Sequence, residues 1–188
     1  LWEMAALAEK RQPELHGIQV GVGTVLTLRL YDYLQALSLD GHKAEAAMQS
    51  FCPEAWQADM QRVFGSAAPA LIAAEQTCWH QNDAAAHAER LARIMENWPG
   101  IRLVMAEELP ATEAVVQLMQ KLGAPTTPEQ IGETSATVRD ALIHSRDIRA
   151  KYLTSSLLWD LGLLDEMADR LCLSLRQAEN EPKNPEPV

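Results

Sequence analysis

The stretch from Asp83 to Glu107 reads DAAAHAERLARIMENWPGIRLVMAE. Up to Asn97, the residues Ala84, His87, Ala88, Leu91, Ile94 and Met95 recur at steps of three and four, so they share one stripe of a helix. Glu89, Arg90, Arg93 and Glu96 are expected on the opposite, solvated face. Pro99-Gly100 is expected to divide the stretch into two helices, because proline lacks an N–H and its ring crowds the preceding turn.

The same helical period runs through nearly the whole chain. Ala, Leu, Met, Gln and Glu dominate, and alternating β-branched runs are missing. The pattern predicts helices near 1–11, 16–37, 43–50, 53–64, 67–80, 83–97, 100–107, 112–122, 128–131, 135–149, 154–161 and 163–176. Thr127-Pro128-Glu129-Gln130 places a hydroxyl, a proline and an amide where a helix start uses them. Gly65, Gly123 and Gly162 each follow an apolar periodic stretch, where a left-handed residue closes a helix. The expected fold is therefore all-α, a multi-helix domain over residues 1–176 with a polar, proline-bearing tail over 177–188.

Composition narrows the function. The 188 residues are 47% apolar, which suits one globular domain, and the net charge is −10. A chain this acidic, without a Lys/Arg cluster, is a poor partner for nucleic acid. No apolar run is long enough for a membrane span. The N-terminus lacks the basic-then-apolar order of a secretory leader. Cys52, Cys78 and Cys172 are odd in number and widely spaced, which excludes the usual zinc spacings and points to a reducing cytoplasm.

One helix start is unusual. Residues 15–24 read LHGIQVGVGT, with His16 at the first turn and Gly17 and Gly21 one turn apart on one face. Each glycine costs about 1 kcal/mol against alanine inside a helix, so the face calls for close approach by a backbone or a flat ligand. At a helix N-terminus the dipole favours the neutral imidazole, the form that binds a divalent metal. A buried or capping histidine beside a helix crossing satisfies the same pattern. Gly21-Val22-Gly23 is no dinucleotide loop, since no third glycine follows and no strand precedes it.

Three segments carry a family resemblance. Leu15–Thr24 is similar to the His-Gly segment of the iron-containing alcohol dehydrogenase superfamily, and most closely resembles the sn-glycerol-1-phosphate dehydrogenase branch, with glycerol dehydrogenase as a neighbour. Leu122–Gly132, LGAPTTPEQIG, resembles a connector of that branch. Arg146–Thr154, RDIRAKYLT, followed by Leu161-Gly162-Leu163-Leu164, resembles its C-terminal element. The resemblance implies the helical, metal-binding half of a dehydroquinate synthase-like fold. It implies His16 as one metal ligand, with an aspartate and a second histidine upstream of Leu1 and an N-terminal NAD(P)-binding domain outside this chain.

The implied reaction interconverts dihydroxyacetone phosphate and sn-glycerol 1-phosphate, using a divalent zinc, nickel or iron ion and NAD(P). The chain alone, opening in mid-helix without a start methionine, is expected to be an inactive fragment that retains neither cofactor. Ile18 stands where many members of the family carry glutamate, which removes an acceptor beside the ligand. A free-standing helical interaction module of the same fold is the alternative, and an apolar face left by truncation would allow self-association.

Other residues have simpler expectations. Arg146, Arg149 and Lys151 are phosphate partners by charge, though solvated surface positions explain them as well. His42 is expected in an exposed turn. His80 and His87 are separated by a break at Gln81–Asp83. His144 is expected to be a partly buried, hydrogen-bonded ring. Trp56, Trp79, Trp98 and Trp159 are expected to pack.

Overall fold

A computed structural model of the chain describes residues 1–180, which form ten α-helices and no strand. In order they are α1 (Trp2–Ala8), α2 (His16–Gln35), α3 (Gly41–Gln49), α4 (Pro53–Phe64), α5 (Ala68–Ala74), α6 (Ala84–Glu108), α7 (Thr112–Lys121), α8 (Ser135–His144), α9 (Thr154–Asp160) and α10 (Leu164–Asn180). Short 3₁₀ or π turns extend α4, α5 and α8 and sit before α8. No helix among the described residues is long and apolar enough to cross a membrane. The tail expected from residue 177 opens in helix, as α10 continues through Asn180, and residues 181–188 lie outside the described part.

The spine of the core is one ridge of α2. Val22, Leu26, Leu30 and Leu34 lie four apart, so they stack along one face, and all are buried. Onto them pack Leu157, Leu158 and Leu161 of the α9 end and Leu164, Met167, Leu171 and Leu175 of α10. Full burial stabilises each leucine of this kind by about 1.5–3 kcal/mol. A smaller cluster of Met60, Phe64 and Ala68 closes the α4–α5 corner.

The largest departure from the sequence reading is at Pro99. Helix α6 runs unbroken from Ala84 to Glu108 with the proline inside it. A proline there costs about 3 kcal/mol. Leu91, Ile94 and Trp98 before it and Met105 after it are buried in the same core, so the helix stays docked on both sides of the fault. Arg90 also departs from expectation, because it turns inward instead of facing solvent.

Helix ends follow their residues closely. Asp40 caps α3 by accepting from the N–H groups of His42 and Lys43, and Asp83 caps α6 through Ala86. Thr134 and Thr137 form a reciprocal capping pair at α8. Gly123 and Gly162 take positive φ as expected; Gly65 does too, but with ψ −120° it lies outside the left-handed helical well, and a 3₁₀ turn continues the chain. Thr127-Pro128 opens only a single 3₁₀ turn, where the Gln130 amide oxygen accepts from the N–H groups of Thr126 and Thr127.

The close approach expected at the α2 glycines occurs at Gly21 alone, where an added Cβ would lie 2.9 Å from the Met119 methyl of α7. Gly17 and Gly23 face open space. The tighter backbone contact is at Gly162, where a Cβ would meet Ala44 Cα of α3 at 2.9 Å.

Candidate functional site

Beyond α8 the chain enters a 3₁₀ turn, Ser145–Asp147, and then runs without regular structure to Leu153. This segment is a partition. Ser145, Ile148, Arg149 and Leu153 line an open cleft of about 840 Å³. Arg146, Ala150, Lys151 and Tyr152 line a smaller cavity of about 200 Å³.

The cleft takes in the first residues of α1 and one face of α2, including His16, Gln19, Val20, Gly23, Thr24 and Thr27. His16 is the first residue of α2, as the sequence predicts, with its side chain 76% exposed. Its Nδ1 lies 3.5 Å from Glu3 Oε2 of α1. Arg149, also exposed, lines the same cleft, so two of the three family-like segments converge there. The lining includes the exposed apolar side chains Met4 and Val20. Among the described residues, no three His, Cys, Asp or Glu side chains gather where they could hold a metal ion. His16 and Glu3 are two donors side by side, and a metal bound there would need further donors from outside these residues.

The smaller cavity lies behind the partition, between the α5–α6 connection (Trp79, Gln81), Arg90 of α6, and Ser156, Trp159 and Asp160 of α9. Arg90 and Asp160 form a forked pair: Nε and Nη2 both donate to the carboxylate at 2.9 Å, and Nη2 also donates to the Gln81 carbonyl oxygen at 2.8 Å. Burial works against the Arg90 charge, but the Asp160 bonds outweigh it and its pKa is raised. The Tyr152 hydroxyl donates to Asp160 Oδ2 at 2.9 Å, and burial together with that carboxylate pushes the phenol pKa up. His87, on the α6 stripe, sets Nε2 3.1 Å from the Asp160 carbonyl oxygen, and burial lowers its pKa.

His144 is hydrogen-bonded as expected but more deeply buried, at 1% exposure, and bridges two carboxylates. Its Nδ1 lies 3.0 Å from Asp147 Oδ2 and its Nε2 2.8 Å from Asp59 Oδ2. Burial opposes the imidazolium, but the two aspartates prevail and raise its pKa. Asp59, also held by Arg62, is lowered despite some burial. With both ring nitrogens engaged, His144 is a structural cross-link between α4 and the partition, not a metal ligand.

The remaining histidines behave as their neighbours dictate. His42 is fully exposed in the first turn of α3, and His80 takes φ +51° in the break before α6. Trp98 is buried, and Trp159 packs edge-on against Phe51 at 5.3 Å. The residues missed by sequence are Arg90, Asp160 and Tyr152. Their only sequence signal was the position of Arg90 three residues after His87, close to the buried stripe.

No family model, no curated protein and no solved structure matches this chain.

Proposed function

We propose that this chain is the helical half of a metal-dependent, NAD(P)-linked dehydrogenase acting between dihydroxyacetone phosphate and sn-glycerol 1-phosphate, and that it is inactive on its own. The observation that carries the proposal is the cleft: His16 and Arg149, from two distant family-like segments, line one open space beside the first turn of α1. The resemblance puts the other two ligands upstream of Leu1, and Glu3 of α1 stands next to His16. The exposed apolar side chains Met4 and Val20 in the cleft suit coverage by another protein surface.

In this reading His16 presents a ring nitrogen to the cleft as one fixed ligand. Arg149 offers a planar fork to the substrate phosphate. A bound divalent metal would polarise the ketone oxygen as a Lewis acid, while the redox step belongs to the nicotinamide. Gly23, with nothing within 4 Å of its missing Cβ, lets a ligand touch the α2 backbone.

The test begins with the coding frame upstream of Leu1. A glycine-rich βαβ unit followed by an aspartate and a Ser-x-x-His element is expected there. The protein it encodes should oxidise NAD(P)H with dihydroxyacetone phosphate, and His16→Ala should remove bound metal and turnover together. Turnover and metal content unchanged in His16→Ala would overturn the proposal. A stop codon directly upstream would also overturn it and leave the helical interaction module.

A further inference from the structure

Among the described residues, Arg146 is the one lysine or arginine that is buried, at 2% exposure. Its guanidinium is incompletely used. Nη2 donates to Asn82 Oδ1, and the plane lies over the Trp159 ring, 4.3 Å from its centroid. Nε is 3.8 Å from Asp147 Oδ1, too far for a hydrogen bond. Nη1 has no hydrogen-bond partner among the described residues, and neither has the indole Nε1 of Trp159. Buried donors are paired as a rule, and a buried charge left short of partners is costly. Two orphaned donors on stacked residues that line one cavity mark a place for an acceptor.

The surrounding charges define that acceptor. The cavity is lined by three cations, Arg90, Arg146 and Lys151, and one carboxylate, Asp160. Asp160 is already taken by Arg90 and Tyr152. Asp147 turns its other oxygen to His144, and Glu75 accepts from the Asn82 N–H at 2.6 Å. None of these carboxylates hydrogen-bonds Arg146. Lys151 is exposed, where its stem can swing across the cavity mouth. At about 200 Å³ the space is large enough for a small anion.

We propose that this cavity is an oxyanion-binding site for the phosphate group of a small molecule, held by Arg146, the Trp159 indole N–H and Lys151. A forked guanidinium, an indole donor and a mobile ammonium supply donors from several directions, which suits a tetrahedral dianion better than a flat carboxylate. The site is separate from the His16 cleft and does not rest on the dehydrogenase reading.

The test is titration of the chain with inorganic phosphate and, separately, with acetate. Binding is followed by the ¹H–¹⁵N signals of the indole groups, with Trp159→Phe identifying the Trp159 peak. Phosphate should shift that peak at millimolar concentration, and acetate should bind markedly more weakly. Arg146→Gln should weaken phosphate binding by about tenfold or more, the loss of a charge-assisted bond. If that variant loses helicity, the exposed Lys151→Gln substitution serves instead, with an expected weakening of about two- to fivefold. His16→Ala should leave phosphate binding unchanged, so this proposal and the dehydrogenase reading fail separately. An unmoved Trp159 peak, equal affinity for acetate, or equal affinity in wild type and Lys151→Gln overturns the proposal.

Discussion

The partition from Ser145 to Leu153 separates two spaces that handle polar groups in opposite ways. On the cleft side, His16 and Arg149 stand in solvent, where each polar side chain is satisfied by water and costs the fold little. On the cavity side, Arg146 and Asp160 are 2% and 1% exposed, so each depends on the geometry of its neighbours. The comparison teaches that one short irregular segment carries both a solvated wall and one that holds a buried, electrostatically crowded arginine. Substitutions on the two sides should therefore differ in size and even in sign.

The largest effect is expected at Asp160. Its carboxylate is 1% exposed and neutralises Arg90 through a forked pair. Asp160→Ala leaves a half-buried guanidinium and the Tyr152 hydroxyl without their partner, and should cost about 3–5 kcal/mol in urea unfolding. A loss under about 1 kcal/mol would mean that solvent already reaches the pair, and the contrast between the two sides would collapse.

His144 comes next. His144→Gln removes a charged bridge between Asp59 and Asp147 and should cost about 1.5–3 kcal/mol below the unfolded histidine pKa. Its folded pKa is raised above 6.5, so the fold binds the proton more tightly than the unfolded chain does. The stabilisation is fully present below about pH 6.5 and is lost as pH rises through the raised folded value. His87 has the opposite sign: burial lowers its pKa, so its contribution is full above 6.5 and fades as pH falls through the depressed value. The gap between wild type and His144→Gln, measured across about pH 5–8, should narrow toward the alkaline end. A gap that widens there would show that the ring is neutral in the fold.

How much of this was legible in the sequence depended on how far each residue's partner lay along the chain. Helix spacing put His16 at a helix start and His144 and His87 on buried stripes, because those facts are local. Arg90 was misread because a charged residue beside an apolar stripe defaults outward, and its partner Asp160 is 70 residues away. Pro99 was misread for a related reason: its local cost was visible, but the burial of Trp98 and Met105 that outweighs it was not. The partition has no helical period at all, so nothing in its spacing revealed that its residues divide between two different spaces.

The smallest effect should have the opposite sign, on the cleft side. Gly23 lies in the middle of α2 with nothing within 4 Å of the position a Cβ would take. Gly23→Ala should therefore stabilise the isolated chain by about 0.5–1 kcal/mol, read as a higher urea midpoint with an unchanged slope. Nothing in the packing of the described residues requires glycine there; the proposed occupant of the cleft would. If the substitution destabilises instead, α2 is already covered on that face by its own neighbours, and the cleft is part of the core and not a binding surface.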